Sequence, residues 1–186
     1  LASQGMPQCT LDQVRRYVGN GVRKLMVRAV PDGEKNPLFE QTFAAFKEYY
    51  AAHCLDHTAP YPDVLKVMKE LKERGIKIAI VSNKLDSAVK ELNEKFFQGY
   101  TSAAIGEMEG VARKPAPDMV EKALRELGVT KSDAIYVGDS DVDIQTAKNS
   151  GLDCISVTWG FRDVPFLLEH GAKTMIDKPL ELLSQV

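Results

Sequence analysis

The chain has 186 residues, Lys+Arg 24 against Asp+Glu 26 for a net charge of −2, and 44% hydrophobic with 27% charged residues. This is the size of one domain, or of one core with a small insert, and its composition excludes a disordered, collagenous or coiled-coil chain. A near-neutral chain has no global field to draw it onto nucleic acid or an anionic membrane, and no apolar run reaches the roughly 20 residues that span a bilayer.

Three cysteines, Cys9, Cys54 and Cys154, are odd in number and widely spaced, so they make no disulfide framework. No basic start with an apolar run follows Leu1, and a reducing cytoplasm is the expected setting. The opening Leu1-Ala-Ser-Gln-Gly has neither an initiator Met nor the start of an element.

In chain order, Thr10 is placed to cap a helix over Leu11 to Val18, and Gly19-Asn20-Gly21 turns the chain into a second helix over Val22 to Val30. After the Pro31-Asp32-Gly33 turn, Leu38, Phe39, Thr42, Phe43, Phe46, Tyr49 and Tyr50 recur at helical spacing. Two prolines in Thr58-Ala59-Pro60-Tyr61-Pro62 mark a boundary. Residues 1–58 are therefore expected to form a small helical unit, and residues 59–186 a second one.

Beyond the boundary, helices alternate with short β-rich runs. Expected are a helix over Asp63 to Arg74, a strand over Lys77 to Val81, a helix over Asp86 to Phe97 capped by Asp86, and a weak strand over Ala103 to Ile105. Then come a helix over Asp118 to Leu127, a strand over Ala134 to Val137, and a helix over Asp143 to Ser150. A strand over Cys154 to Val157, a helix over Val164 to Glu169 and a strand over Thr174 to Ile176 complete the pattern. Such alternation with short Gly-containing links predicts an α/β fold: a doubly wound, Rossmann-like parallel sheet covered by helices on both faces.

Ligands of open parallel sheets bind outside the carboxyl ends of the strands, so the residues after each apolar strand carry the functional information. Ile78-Ala-Ile-Val81 runs into Ser82-Asn83-Lys84, a hydroxyl before a helix start whose N–H groups suit an anion. Ala134-Ile-Tyr-Val137 runs into Gly138-Asp139-Ser140-Asp141-Val142-Asp143. Three carboxylates so close repel unless a cation is present, and hard oxygens of this kind suit Mg²⁺. Between them, Pro115 and Pro117 stiffen the backbone around Lys114, whose ammonium then suits a phosphoryl oxygen or a carboxylate.

Taken together, strand-Ser82-Asn83, then Lys114-Pro115, then strand-Gly138-Asp139-Ser140-x-x-Asp143 resembles the second, third and fourth motifs of the haloacid dehalogenase-like hydrolase superfamily. The helical unit resembles that family's cap, and Tyr17-Val-Gly-Asn-Gly-Val-Arg-Lys-Leu-Met26 is similar to the cap segment of its phosphoglycolate phosphatase branch. The family's first motif, a strand ending in Asp-x-Asp-Gly-Thr, does not occur in the sequence. The resemblance places that strand centrally, between the strands ending at Ser82 and Asp139. The chain is accordingly expected to be a natural protein minus about 20 to 30 residues, one strand and half a helix by ordinary element lengths, and to be inactive by itself.

The resemblance implies a Mg²⁺-dependent phosphate monoester hydrolase working through an aspartyl-phosphate on a small metabolite such as 2-phosphoglycolate. In it, Ser82 and the backbone of Asn83 hold phosphoryl oxygens, Lys114 neutralises charge, Asp139 binds Mg²⁺, and Asp143 binds or supports it. Asn20, Gly21, Arg23 and Lys24 of the cap are candidates for meeting a small carboxylate, or simply form a turn and a solvated helix. His53 and His57 at the end of a helix are read as structural, without an acidic partner. Trp159-Gly160-Phe161-Arg162 either lines the cleft or packs. Alternatives are a phosphatase or mutase for another ester or pyrophosphate, a non-catalytic binding or regulatory module, and an assembly in which another polypeptide supplies the strand.

Overall fold

The protein is described by a computed structural model covering residues 1–186, which divides between Thr58 and Ala59 into two compact units. The first holds three helices, α1 (Leu11–Tyr17), α2 (Val22–Ala29) and α3 (Phe39–His53). Thr10 caps α1, its hydroxyl accepting the Gln13 N–H at 3.2 Å while Gln13 returns the bond to the Thr10 N–H at 2.8 Å; this reciprocal pairing satisfies two otherwise orphaned donors. Met26 and Val30 of the second helix region bury against Phe39 and Phe43 of α3. Gly21 precedes α2 with φ 82, a left-handed backbone that favours glycine. His53 does have an acidic partner, contrary to expectation, because its Nδ1 lies 2.7 Å from Asp56 Oδ2.

The second unit alternates as the sequence predicts: α4 (Val64–Glu73), β1 (Ala79–Leu85), α5 (Asp86–Phe96), β2 (Ala103–Glu107), α6 (Asp118–Leu127), β3 (Ile135–Gly138), α7 (Asp141–Ser150), β4 (Asp153–Val157), α8 (Val164–Glu169) and β5 (Thr174–Ile176). All pairings are parallel, β1 with β2 in one part, β3-β4-β5 in the other. Helix α6 covers both parts from one face: Met119 and Ala123 pack with Ile105, Val120 and Leu124 with Tyr136, and Val81 touches both groups. No helix is long and apolar enough to cross a membrane.

Three local expectations are corrected. β1 does not stop at Val81 but continues to Leu85, because a register shift lets Leu85 pair with Glu107. Ser82 and Asn83 thus lie within the strand's end, and not at a helix N-terminus. α7 starts two residues earlier than the pattern suggests, with Ser140 at its cap, so Asp143 sits inside the first turn.

The third correction concerns Asp86, which is the first residue of α5 and not its cap. Its carboxylate accepts the Gly106 N–H at 2.9 Å and pairs with Lys90 at 2.6 Å, joining α5 to β2. Burial pushes this carboxyl up, but the bonds from Lys90 and Gly106 outweigh it and hold its pKa below the usual 3.8. A depressed carboxylate contributes stability that is fully present above its ordinary pKa and is lost as pH falls through the folded value. Asp86→Asn is therefore expected to cost about 1 to 2 kcal/mol at neutral pH and progressively less in acid, as the parent's carboxylate takes up its proton. Urea unfolding of both proteins across a series of pH values from neutral downwards checks this.

Candidate active site

The carboxyl ends of β1 and β3 meet around one lysine. Asn83, buried at the end of β1, clamps the backbone of Lys114 on both sides: its amide nitrogen donates to the Lys114 carbonyl at 2.9 Å, and its carbonyl accepts the Lys114 N–H at 2.8 Å. Asn149 of α7 donates to the Pro115 carbonyl at 2.8 Å. The loop carrying the lysine is thus tied to the strand before it and the helix after it, a firmer restraint than the flanking prolines alone.

The Lys114 ammonium donates to Asp143 Oδ1 at 2.8 Å and to the Tyr136 hydroxyl at 3.1 Å, with both side chains of the ion pair about nine-tenths buried. Tyr136 donates to the same carboxylate oxygen at 3.1 Å. Asp143 Oδ2 accepts Ser140 Oγ at 2.6 Å and the Asp139 N–H at 3.2 Å. A carboxylate offers about four lone-pair sites, and these bonds occupy all of them. Burial pushes the Asp143 carboxyl up, yet the charge and hydrogen bond of Lys114, with the bonds from Ser140 and Tyr136, hold it below its ordinary value. Burial also raises Tyr136, aided by the adjacent Asp143 charge, so its hydroxyl keeps its proton.

Asp139 is placed differently. Its Oδ2 accepts the Phe161 N–H at 2.7 Å. Its carboxyl is raised above the ordinary value by burial, which the Phe161 N–H partly offsets and the charge of Asp143 reinforces. The surrounding backbone approaches so closely that side chains are excluded: a Cβ on Gly138 would overlap Asp143, and one on Gly160 would overlap Asp139.

These donors fit Mg²⁺. The ion takes one or two carboxylates and completes its shell with water and phosphate, and Asp139 supplies a half-buried carboxylate beside Asp143. The saturation of Asp143 gives it the supporting place, fixing Lys114 and the Asp139 backbone. No group of three or more His, Cys, Asp or Glu side chains gathers to hold a metal by itself.

Of the residues predicted to act, Asn83, Lys114, Asp139 and Asp143 share one hydrogen-bonded network. Ser82 adjoins it; its Oγ accepts the Lys84 N–H at 3.2 Å and keeps its proton to donate. Asn83 acts through its side chain as a latch on Lys114, a role the expected anion contact did not include. In the helical unit, Asn20 Oδ1 accepts from Arg28 at 2.8 Å, and Lys24 is exposed. Arg23 is not a spare cation: it bridges Glu34 at 2.8 Å and Glu40 at 2.6 Å and lies over Phe39 and Phe43.

Two contributors escaped the sequence reading, Tyr136 and Asn149, while Ser140 stood in the quoted motif without a role of its own. Tyr136 left a signal, since a tyrosine amid the aliphatic residues of a buried strand needs a partner for its hydroxyl. Both expectations for Trp159 to Arg162 hold in part, Trp159 packing near Ile155 and Val157 while the backbone of Phe161 reaches Asp139.

A parallel α/β sheet whose strand ends assemble a hydroxyl, a fixed ammonium and a carboxylate pair defines an enzyme site for an anionic substrate. Residues 1–157 match the family described as haloacid dehalogenase-like hydrolase, and the chain belongs to that family. It is 32% identical over 162 residues to a phosphoglycolate phosphatase of Aquifex aeolicus, covering 87% of this chain and 74% of the relative. With the phosphoglycolate phosphatase of Rhodobacter capsulatus it shares 36% identity over 179 residues, 93% of this chain and 80% of that one. A solved structure from Lactobacillus delbrueckii subsp. bulgaricus, assigned as a phosphoglycolate phosphatase, superposes with TM-score 0.89 at 37% identity, over 95% of this chain and 83% of its own. The expectations of fold and of a phosphatase class drawn from the motifs agree with these relatives.

Proposed function

We propose that the protein hydrolyses a small phosphate monoester, 2-phosphoglycolate, in the cytosol with Mg²⁺ bound at Asp139. The observation that carries this reading is the saturated Lys114–Asp143 pair, which holds one ammonium rigidly where a phosphoryl group would be flanked by Ser82 and Asp139. The names of the relatives supply the substrate, and three free cysteines suit a reducing compartment.

In this reading Ser82 donates its O–H to a phosphoryl oxygen, with the backbone of Asn83 beside it. Lys114 neutralises charge that grows on the phosphoryl oxygens, and it needs no reorganisation because Asp143, Tyr136 and Asn83 already orient it. Mg²⁺, when bound, withdraws charge from the transferring group. In the family's reaction the first Asp of Asp-x-Asp-Gly-Thr attacks phosphorus as the ester P–O bond breaks, the second Asp gives its proton to the leaving alcohol, and it then takes a proton from the water that cleaves the aspartyl-phosphate and frees the first carboxylate. The Asp-x-Asp-Gly-Thr segment that the family uses for this attack is absent from the sequence, so residues 1–186 alone are expected not to turn over. The test is phosphate release from 2-phosphoglycolate by the protein purified from its source, with Mg²⁺ and again with EDTA. EDTA-sensitive release is expected; inactivity in Mg²⁺ would sink the reading and leave a binding module.

A further inference from the structure

Three carboxylates stand within five residues where β3 gives way to α7, and the fold treats each differently. Asp143 is matched by Lys114 at 2.8 Å, and Asp139 takes the Phe161 N–H at 2.7 Å. Asp141, an unassigned position of the motif, is matched by the next residue along that same loop: Arg162 Nε lies 3.4 Å from Asp141 Oδ1. The Arg162 side chain is 11% exposed, as deep as that of Lys114, and its guanidinium lies 5.1 Å over the Phe166 ring. Arginine is almost never buried unless paired, so a guanidinium held this deep beside the site is a built feature and not a solvated side chain.

The loop between β4 and α8 is fastened at both ends and in the middle. At its start, Thr158 donates its N–H to the Ile176 carbonyl at 3.2 Å and its hydroxyl to Asp177 at 2.8 Å. At its end, Asp163 accepts the Phe166 N–H at 3.0 Å and caps α8. Its middle reaches across to α7 through two consecutive residues, Phe161 by its backbone to Asp139 and Arg162 by its side chain to Asp141, on either side of the α7 cap Ser140. Gly160 lets the loop come down on the Asp139 carboxylate, since a Cβ there would overlap it. An exposed backbone hydrogen bond in a loop opens readily; a largely buried ion pair one residue away limits how far Phe161 can move from Asp139.

We infer that Arg162 and Asp141 are positioning residues for the metal site: they fasten the β4–α8 loop to α7, fix the Phe161 N–H on Asp139, and so set the direction in which that carboxylate meets Mg²⁺. The inference rests on the reading that Mg²⁺ binds at Asp139. Each residue acts through the loop and not as a ligand. Removing a group that orients a metal ligand typically weakens metal binding by about 10- to 100-fold. Electrostatics alone predicts something different, because a nearby cation repels Mg²⁺ and a nearby anion attracts it. Loss of Arg162 would then tighten binding, and loss of Asp141 would weaken it. A fastener predicts weaker binding from both, since either loss frees the loop.

The test uses the full-length protein as its source encodes it, with Arg162→Met, Arg162→Lys, Asp141→Asn and Asp139→Asn. The Mg²⁺ dissociation constant is read from thermal unfolding in MgCl₂ against NaCl of equal ionic strength, and exchange of the Phe161 amide proton is read by NMR without metal. Expected are Mg²⁺ binding about tenfold weaker in both Arg162→Met and Asp141→Asn, with Arg162→Lys between Arg162→Met and the parent. Phe161 exchange should be roughly tenfold faster in the same two variants, and the double variant should bind no more weakly than the worse single one. If Arg162→Met fails to fold, Asp141→Asn, at the more exposed partner, and Arg162→Lys carry the comparison. Mg²⁺ affinity unchanged or tightened in either Arg162→Met or Asp141→Asn overturns the inference, whatever happens to stability. So does a raised KM for 2-phosphoglycolate with Mg²⁺ binding unaltered, which would make Arg162 a substrate contact. In both cases a parent that outbinds Asp139→Asn leaves the Mg²⁺ reading standing. Equal Mg²⁺ stabilisation of the parent and Asp139→Asn removes the ion from Asp139, and the reading and the inference fall together.

Discussion

Replacing Lys114 with methionine is expected to destabilise the protein by about 3 to 5 kcal/mol at neutral pH, because it leaves the Asp143 carboxylate buried without its counter-charge. In the parent, Lys114 is what keeps that carboxyl ionised despite burial. Without the ammonium, the folded pKa of Asp143 moves above its unfolded value, and the sign of linkage reverses. The variant then gains stability relative to the parent as pH falls from about 6 to 4, where protonation removes the stranded charge. Adding Asp143→Asn should recover much of the loss, with a coupling of at least about 2 kcal/mol, since the amide still accepts from Tyr136 or Ser140. Urea denaturation of the four proteins in the cycle measures this directly. If Lys114→Met costs under about 1 kcal/mol, the pair is screened like a surface contact and the network does not hold the site together.

The division of the chain at the Pro60 and Pro62 segment and the β-α alternation beyond it were legible because they rest on short-range signals: prolines, helix-stopping glycines such as Gly128 and Gly151, and apolar runs of strand length. The strand-end rule then pointed to Ser82 and Asp139, and the prolines flanking Lys114 to the lysine, without any contact information. What stayed illegible depends on long-range pairing. β1 extends past Val81 only because Leu85 finds Glu107 across the sheet, and nothing in Ser82-Asn83-Lys84 encodes that. Asp86 has the composition of a cap, yet the Gly106 N–H and Lys90 compete for its carboxylate and draw it into the first turn. Arg23 and Lys24 look alike in sequence. Only the fold of their unit sets Glu34 and Glu40 around one and leaves the other in solvent.

Asp139→Asn is expected to do the opposite of Lys114→Met when no divalent ion is present, leaving stability unchanged or raising it by up to about 1 kcal/mol. The carboxylate of Asp139 is half-buried and accepts the Phe161 N–H, and an asparagine carbonyl can accept that bond without bringing a charge. A residue whose ionised form opposes folding is typical of a site shaped for a ligand. The two proteins should separate when Mg²⁺ is added. An ion that binds only the folded state stabilises it by RT ln(1 + [L]/Kd), about 2.7 kcal/mol at a hundred times Kd, and Asp139→Asn should lose most of that gain. Thermal unfolding in MgCl₂, against NaCl of equal ionic strength, separates specific binding from screening. An Asp139→Asn protein that is markedly less stable without metal would make the carboxylate a structural anchor for the Phe161 loop. Equal Mg²⁺ stabilisation of both proteins would move the ion elsewhere.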